Sequence, residues 1–159
     1  MHTGGVNLKQ PRIEVSVATQ RLALWDGIRQ VKTWPCSTSK FGLGYTEGSN
    51  KTPLGGFVVR EKHGDSAPSG TIFKSRQAVG QWTPELVTPD DLVLTRILWL
   101  DGMEKRNANT FQRYIYIHGT NHERSIGRPA SHGCVRLKNA DVMELYDLVP
   151  LGTAVWISE

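Results

Sequence analysis

Apolar residues recur along the chain at two different spacings, one typical of strands and one typical of helices. Together these spacings predict a sheet protein with one helix. Apolar and polar residues alternate over residues 12–18, and residues 20–25 repeat the two-residue period with Leu22 and Leu24 on one face, which is the spacing of half-buried strands. The dipeptide Asp26-Gly27 marks a tight turn, and residues 28–34 supply a partner strand. Three consecutive antiparallel strands argue against a parallel α/β sheet, whose strands need long crossover connections.

The helical period is convincing at only one place, over residues 139–149. Apolar residues recur there at the spacing i, i+3, i+4 and i+7, namely Val142, Leu145, Tyr146 and Val149. Asn139 can cap the helix and Pro150 ends it. Further strands are predicted at residues 57–59, 71–73, 96–100 and 154–157. Thr83-Pro84 and Thr88-Pro89 predict two more helix starts of a turn or two, because each pairs a capping residue with a first-turn proline.

Residues 37–56 are rich in Gly, Ser, Thr and Asn and are predicted to form a loop. The loop ends in a fixed turn at residues 52–56. We expect residues 1–11 to be an N-terminal extension and residues 12–158 to be a single domain, because 159 residues suit one core. The fold class is therefore mainly β, with mostly antiparallel strands and one clear helix.

The composition and charge of the chain exclude some classes of function but do not assign one. Hydrophobic residues make up 38% of the chain, and nineteen basic residues against fifteen acidic ones give a net charge of +4. The basic residues are not clustered and have no accompanying stacking aromatics, so a nucleic-acid surface is not predicted. No window is apolar enough to span a membrane. Residues 1–11 show no export signal. We therefore expect a cytoplasmic protein if the chain is complete, and a periplasmic or wall-associated one if an N-terminal segment has been removed.

Candidate chemistry is concentrated in residues 114–139. Cys134 follows a glycine in Ser131-His132-Gly133-Cys134, and His118 ends the alternating run that begins at Tyr114. A thiol nucleophile needs a base within ~3 Å, and a histidine at the rim of a sheet can supply it. We assign Cys134 as nucleophile and His118 as base in preference to His132, which is near in sequence but need not face the sulfur. The second cysteine, Cys36, is predicted to be a free packing residue.

A zinc site is the main alternative use of the same residues. His118, His122, His132 and Cys134 could supply four nitrogen and sulfur ligands. A helical His-x-x-x-His site is disfavoured because Gly119 and the preceding strand pattern do not suit a helix, and no glutamate stands beside His118 to act as the base. No metal is therefore assigned.

The spacing of these residues resembles a known signature. His118-Gly119, then Ser131-His132-Gly133-Cys134-Val135-Arg136, is similar to the active-site motif of the L,D-transpeptidase (YkuD-type) catalytic domain. The resemblance extends to residues 13–25, 52–55, 126–127, 139–142 and 152–157, whereas residues 61–112 show no comparable match. It implies a β-sandwich or partly open barrel. It also implies that the carbonyl of Gly119 orients His118, that the amides of Gly133 and Cys134 bind the oxyanion, and that Ser131 supports the turn.

Arg136 is open to two interpretations. On a strand it would lie on the same face as Cys134, where it could bind a substrate carboxylate together with His132. It could equally form a structural ion pair.

The resemblance also implies a substrate and a reaction. Members of the family act on peptidoglycan stem peptides, where the thiol would displace a terminal D-alanine and form a thioester. Transfer to an amine gives a 3→3 cross-link, and transfer to water makes the protein an L,D-carboxypeptidase of muropeptides. Hydrolysis is slightly preferred if the chain is complete and cytosolic. No cofactor is required, a monomer is expected, and carbapenems should acylate the thiol. A non-catalytic peptidoglycan-binding module on the same fold is the alternative.

Overall fold

A computed structural model describes residues 7–159 as one mixed sheet and one α-helix; residues 1–6 of the expected N-terminal extension lie outside the described residues. The sheet contains ten strands, and the helix lies between the last two. Their bounds in chain order are β1 Pro11–Ser16, β2 Arg21–Asp26, β3 Arg29–Pro35, β4 Gly55–His63, β5 Thr71–Lys74, β6 Gln77–Gln81, β7 Val93–Gly102, β8 Tyr116–Gly119, β9 Val135–Leu137, α1 Asn139–Leu148 and β10 Ala154–Ser158.

The first three strands form the antiparallel meander that the alternating pattern predicts. β1 pairs with β2, and β2 pairs with β3 across a two-residue turn. Gly27 in that turn has φ +62°, a left-handed conformation that glycine adopts without steric cost. Ile13, Leu22 and Leu24 are fully buried on the inner face, whereas the intervening positions are more exposed. The prediction of three consecutive antiparallel strands is confirmed.

The strand order is β3-β2-β1-β10-β4-β7-β5-β6, with β8 added to β7 and β9 added to β8. Only two of the pairings are parallel, β1 with β10 and β8 with β9. The main path ends in free edges at β3 and β6, so the sheet is not closed. The prediction of a mainly β, mostly antiparallel fold is confirmed. No helix in residues 7–159 combines the length and the apolar character needed to cross a membrane.

Helix α1 covers one face of the sheet and closes the main core. Its buried side chains, Val142, Leu145 and Tyr146, pack with residues of the central strands such as Leu98 and Ile117. Cys36 lies in the same core with no exposed surface, and both cysteines are free. The predicted helix is therefore present, but its N-cap is Lys138 and not Asn139. Asn139 begins the helix, and its amide donates to a Glu123 carboxylate oxygen at 2.7 Å.

The middle of the chain differs most from the prediction. The helix starts expected at Thr83-Pro84 and Thr88-Pro89 are wrong, because residues 82–92 form turns and extended chain. Thr88 precedes a proline and so disfavours helical backbone, which would stop a helix begun at Pro84 after one turn. β7 begins at Val93 and leaves no room for a helix after Pro89. β6 was missed because it is a wholly exposed edge strand with no apolar alternation.

Candidate active site

Strands β8 and β9 bring the predicted site residues together. They run parallel, with Ile117 opposite Val135 and His118 opposite Arg136. Ile117 and Val135 are buried in the main core, so the residues next to them in sequence face the other side of the sheet. On that side Cys134, which immediately precedes β9, packs with Tyr116 in a second apolar cluster. The thiol and the imidazole therefore lie on the same face of adjacent strands.

The ring of His118 is almost completely buried and is held by its own backbone neighbour. Its Nδ1 lies 2.5 Å from the carbonyl oxygen of Gly119. A carbonyl can only accept a hydrogen bond, so Nδ1 carries the proton and Nε2 is left able to receive one. A side chain at position 119 would meet Asn139 and would lie 2.8 Å from the Leu94 carbonyl oxygen, which explains the glycine.

The sulfur of Cys134 is partly buried and makes two backbone contacts, one in β8, the strand that carries the histidine, and one two residues before that strand. It accepts a hydrogen bond from the Tyr116 amide at 3.2 Å, and the thiol donates to the Tyr114 carbonyl at 3.3 Å. Among the described residues no hydrogen bond joins it to His118. Such bonds are often long or absent before substrate binds.

Burial sets the protonation state of both groups. It raises the pKa of the Cys134 thiol to about 12, with the Tyr116 amide acting in the opposite direction. Burial also lowers the pKa of His118, and the carboxylate of Asp91 only partly offsets that effect. Near neutral pH the pair is thus a neutral thiol and a neutral imidazole. With such a pair, the proton would pass from the thiol to the imidazole while the sulfur attacks, and no thiolate would be formed beforehand.

The turn before Cys134 is fixed by hydrogen bonds of a buried serine. Ser131 Oγ donates to the Cys134 carbonyl at 2.6 Å and accepts from the Gly133 amide at 3.3 Å. Gly133 has φ +117°, and a Cβ there would lie 3.3 Å from the Lys51 carbonyl oxygen. The Gly133 carbonyl accepts from Thr52 Oγ1 at 3.0 Å. The turn predicted at residues 52–56 therefore begins directly against the turn that holds Cys134.

The long loop from residue 37 to residue 52 supports the same turn from its other side. Ser37 exchanges two backbone hydrogen bonds with Arg136, and the Ser131 amide donates to the Thr38 carbonyl at 2.9 Å. Arg113, which the sequence analysis did not select, holds the loop through the Lys51 carbonyl at 2.7 Å and the Gly44 carbonyl at 3.2 Å. Its charge is close enough to Cys134 to lower the pKa of the thiol slightly.

Asp91 is a further residue that the sequence analysis did not identify. One of its carboxylate oxygens lies 2.9 Å from Arg136 Nη2, and the other lies 3.2 Å from His132 Nδ1. Burial alone would raise the pKa of Asp91, but His118 when it is protonated, together with Arg136 and His132, holds that pKa below its usual range. The charge of Arg136, which is 2% exposed, is thus already paired inside the protein. Of the two interpretations of Arg136, this arrangement corresponds to the structural ion pair.

The four potential zinc ligands do not converge. Among residues 7–159, no three His, Cys, Asp or Glu side chains are placed to hold a metal ion. His122 instead donates from Nε2 to the Asp90 carbonyl at 2.9 Å. His132 is exposed and lies against Phe41, with the ring centroids 5.8 Å apart.

Comparison with known proteins supports the resemblance seen in the motif. The family model of the L,D-transpeptidase catalytic domain (YkuD) matches residues 10–157. YkuD of Bacillus licheniformis, a relative named for this family, is 30% identical over 148 residues, which cover 92% of this chain and 65% of that protein. YbiS of Escherichia coli K12 is 35% identical over 101 residues, covering 62% of this chain and 29% of that protein. The chain thus spans at most about two thirds of either relative.

Solved structures show the same fold. An L,D-transpeptidase from Mycobacterium smegmatis aligns with a TM-score of 0.61 and 16% identity, covering 94% of this chain and 59% of that chain. An L,D-transpeptidase from Xylanimonas cellulosilytica aligns with a TM-score of 0.61 and 22% identity, covering 96% of this chain and 62% of that chain. The L,D-transpeptidase LdtMt1 in complex with imipenem aligns with a TM-score of 0.60 and 18% identity, covering 93% of this chain and 58% of that chain.

Proposed function

Because this chain belongs to the family of YkuD-type L,D-transpeptidase catalytic domains, we propose that it is a cysteine-dependent acyltransferase acting on peptidoglycan stem peptides. The observation that carries the proposal is the His118 Nδ1–Gly119 carbonyl contact of 2.5 Å. It leaves Nε2 free to accept a proton on the sheet face that also carries Cys134. This is a Cys-His-carbonyl triad, related in logic to the Ser-His-Asp arrangement.

In the first half-reaction, Cys134 Sγ attacks the carbonyl carbon of the third stem residue, which is L-centred. The thiol proton leaves the Tyr114 carbonyl and passes to His118 Nε2. The resulting oxyanion is stabilised by the amides of Gly133 and Cys134, and the Gly133 amide exchanges its long 3.3 Å bond to Ser131 Oγ for the oxyanion. Losing one such donor costs about 3 kcal/mol of barrier. As the intermediate collapses, His118 returns the proton to the departing amine of D-alanine, and a thioester remains on Cys134.

In the second half-reaction, the thioester is transferred to an acceptor. An amine of another stem, or water, attacks the thioester carbonyl while His118 takes the acceptor's proton. Collapse of this second intermediate expels the sulfur, which recovers the proton. Transfer to an amine is transpeptidation, and transfer to water is L,D-carboxypeptidase activity. The same residues serve both fates, so the acceptor that reaches the thioester decides between them.

The test is to incubate the purified protein with a disaccharide-tetrapeptide and to weigh the products by mass spectrometry. Loss of one alanine indicates hydrolysis, and a dimer that has lost one alanine indicates cross-linking. We expect the Cys134→Ala variant to give neither. If the wild-type protein leaves the substrate unchanged, the acyltransferase proposal is wrong and a binding module on the same fold is favoured.

Acylation by a carbapenem provides a second, substrate-independent test. The structural neighbour LdtMt1 has been solved in complex with imipenem. We propose that imipenem also acylates Cys134 here, increasing the intact mass of the protein by one bound drug molecule. The Cys134→Ala variant retains Cys36, which is fully buried, and should therefore stay unmodified. An unmodified wild-type mass after prolonged exposure would count against a reactive Cys134.

A further inference from the structure

A basic pocket lies beside the catalytic turn and is not used by the chemistry described above. Its volume is about 730 Å³, and its wall includes His132 and Arg136, which flank Cys134 in sequence. Trp82 and Val87 give it an apolar side, and Lys40, Arg124 and Arg128 give it a cationic one. Pockets of 300–1,000 Å³ are the usual size for small ligands.

The positive charge of this pocket has no counterpart in the protein. Lys40, Arg124 and Arg128 make no ion pair within residues 7–159. The pocket's one carboxylate, Glu123, already accepts two hydrogen bonds from Asn139. The three cations therefore line the cavity without a paired carboxylate, and they outnumber its single acidic side chain.

We propose that the basic pocket binds the free carboxylates of the stem peptide that reacts at Cys134. This inference rests on the proposed function and names the part of the substrate that is recognised. Two residues of chain span at most about 7 Å, so a peptide bound at Cys134 reaches the wall at His132 within about two residues' length. Arginine is suited to this task because its planar guanidinium can bind a carboxylate through two parallel hydrogen bonds.

The mixed wall favours a peptide over a phosphate-bearing wall polymer. Trp82, Val87 and two prolines present apolar surface in the same pocket as the cations, which matches a ligand whose aliphatic segments alternate with carboxylates. A uniformly charged phosphodiester chain would leave that apolar wall unused. Arg136 is not among the recognising groups, because Asp91 neutralises it at 2.9 Å.

The experiment compares the binding of two probes to the full chain by isothermal titration calorimetry. One probe is a stem tetrapeptide with all carboxylates free, and the other is the same peptide with its carboxylates amidated. The pocket variant is Arg124→Glu/Arg128→Glu. The matched control is Arg29→Glu/Lys105→Glu, which makes the same change in net charge at two exposed positions outside the pocket.

We expect the free-acid peptide to bind the pocket variant at least tenfold more weakly than the wild type or the control variant. The amidated peptide should bind all three proteins with similar, low affinity. Equal affinity of the free-acid peptide for the pocket variant and the wild type would overturn the proposal. So would an equal loss for both peptides, or the absence of any binding to the wild type.

Two further outcomes separate this inference from the proposed function and from a different ligand. If the free-acid peptide binds in a pocket-dependent manner but is never turned over, the acyltransferase proposal fails while the pocket assignment stands. If inorganic polyphosphate binds in a pocket-dependent manner and the peptide does not, the pocket recognises phosphate polyanions and the proposal is wrong. Circular dichroism of each variant establishes that its fold is retained.

Discussion

Arg136, two residues after Cys134, forms an ion pair with Asp91, with Arg136 Nη2 2.9 Å from Asp91 Oδ1. The side chains are 3% and 22% exposed, so this pair is far less hydrated than the surface pairs of the molecule. Asp91 also contacts His132 and lowers the cost of a positive charge on His118. One carboxylate from the chain segment before β7 thus contacts residues on both sides of Cys134 and also acts electrostatically on His118.

Replacing Asp91 by asparagine should destabilise the fold. The change leaves the buried Arg136 without its counterion, which typically costs about 3 kcal/mol. Asp101→Asn is a matched control, since Asp101 pairs with the half-exposed Arg60 and should lose less than about 1 kcal/mol. Urea unfolding at neutral pH measures both free energies. Equal losses for the two variants would contradict a special role for the buried pair.

The same comparison has a defined pH dependence. The pKa of Asp91 is lowered in the folded protein, so its stabilisation is complete above the ordinary carboxyl pKa of about 4 and is lost as pH falls through the lowered value. The stability difference between the wild type and Asp91→Asn should therefore shrink at acid pH. A difference that stays constant down to pH 3 would show that the carboxylate charge is not the cause.

The activity of Asp91→Asn should also change with pH in a direction that a purely structural effect would not produce. Burial lowers the pKa of His118 below its ordinary value near 6.5, and Asp91 raises it in part. Removing the carboxylate should lower that pKa further, so the acid limb of kcat/KM moves to lower pH. The plateau should fall by about tenfold, because the imidazolium formed during attack loses a stabilising charge. An acid limb unmoved relative to Asp101→Asn would argue against this coupling.

The parts of the fold that depend on local pattern could be predicted from the sequence. Ile13 alternates with polar residues, and Leu22 and Leu24 fall on one face at the same two-residue spacing, so the first meander follows from that period. Val142, Leu145 and Tyr146 likewise mark the helix through their 3.6-residue period. β6 has neither signal, since all five of its residues are exposed and its pairing comes from β5 alone.

Some residues of the candidate site could also be predicted from local sequence, whereas others are brought there only by the fold. His118, Gly119 and the turn containing Cys134 were found because their spacing is a sequence motif. Asp91 lies 27 positions before His118 in a segment with no motif, and only the sheet topology brings it to Arg136. One signal did exist, since an arginine between Val135 and Leu137 on a buried strand requires an anionic partner. The sequence could not say which of fifteen acids supplies it.

Gly133→Ala should abolish activity while the chain still folds. Alanine at φ +117° costs about 1–3 kcal/mol, and its Cβ would press on the Lys51 carbonyl at 3.3 Å. The amide at 133 would shift, and loss of one oxyanion donor corresponds to at least a 100-fold fall in kcat. Gly152→Ala is the control, because Gly152 has φ +85° but nothing within 4 Å of the added Cβ. It should lose comparable stability and keep its activity.

Arg76→Ala should weaken substrate turnover by loosening the β5–β6 hairpin. The guanidinium of Arg76 lies 4.7 Å from the centre of the Trp99 ring and 5.4 Å from that of Tyr114, beside the strand that contacts Cys134. Each such contact stabilises by about 0.5–1 kcal/mol at an exposed site. We expect kcat/KM to fall several-fold with the thiol still reactive toward iodoacetamide. Lys74→Ala, an exposed change on the same hairpin, should have no effect; equal losses for both would point to a general charge effect.

The two cysteines should differ sharply in alkylation by iodoacetamide. Burial raises the pKa of both thiols to about 12, but Cys36 has no exposed surface whereas Cys134 is partly exposed. The native protein should therefore take up one label, slowly near neutral pH and about tenfold faster for each unit of rising pH, because the thiolate is the reactive form. Peptide mapping should place that label on Cys134, and the Cys134→Ser variant should take up none until urea unfolds it. A rate that is fast and independent of pH near neutrality would instead mean that Cys134 already rests as a thiolate, and His118 would then not need to act as its base.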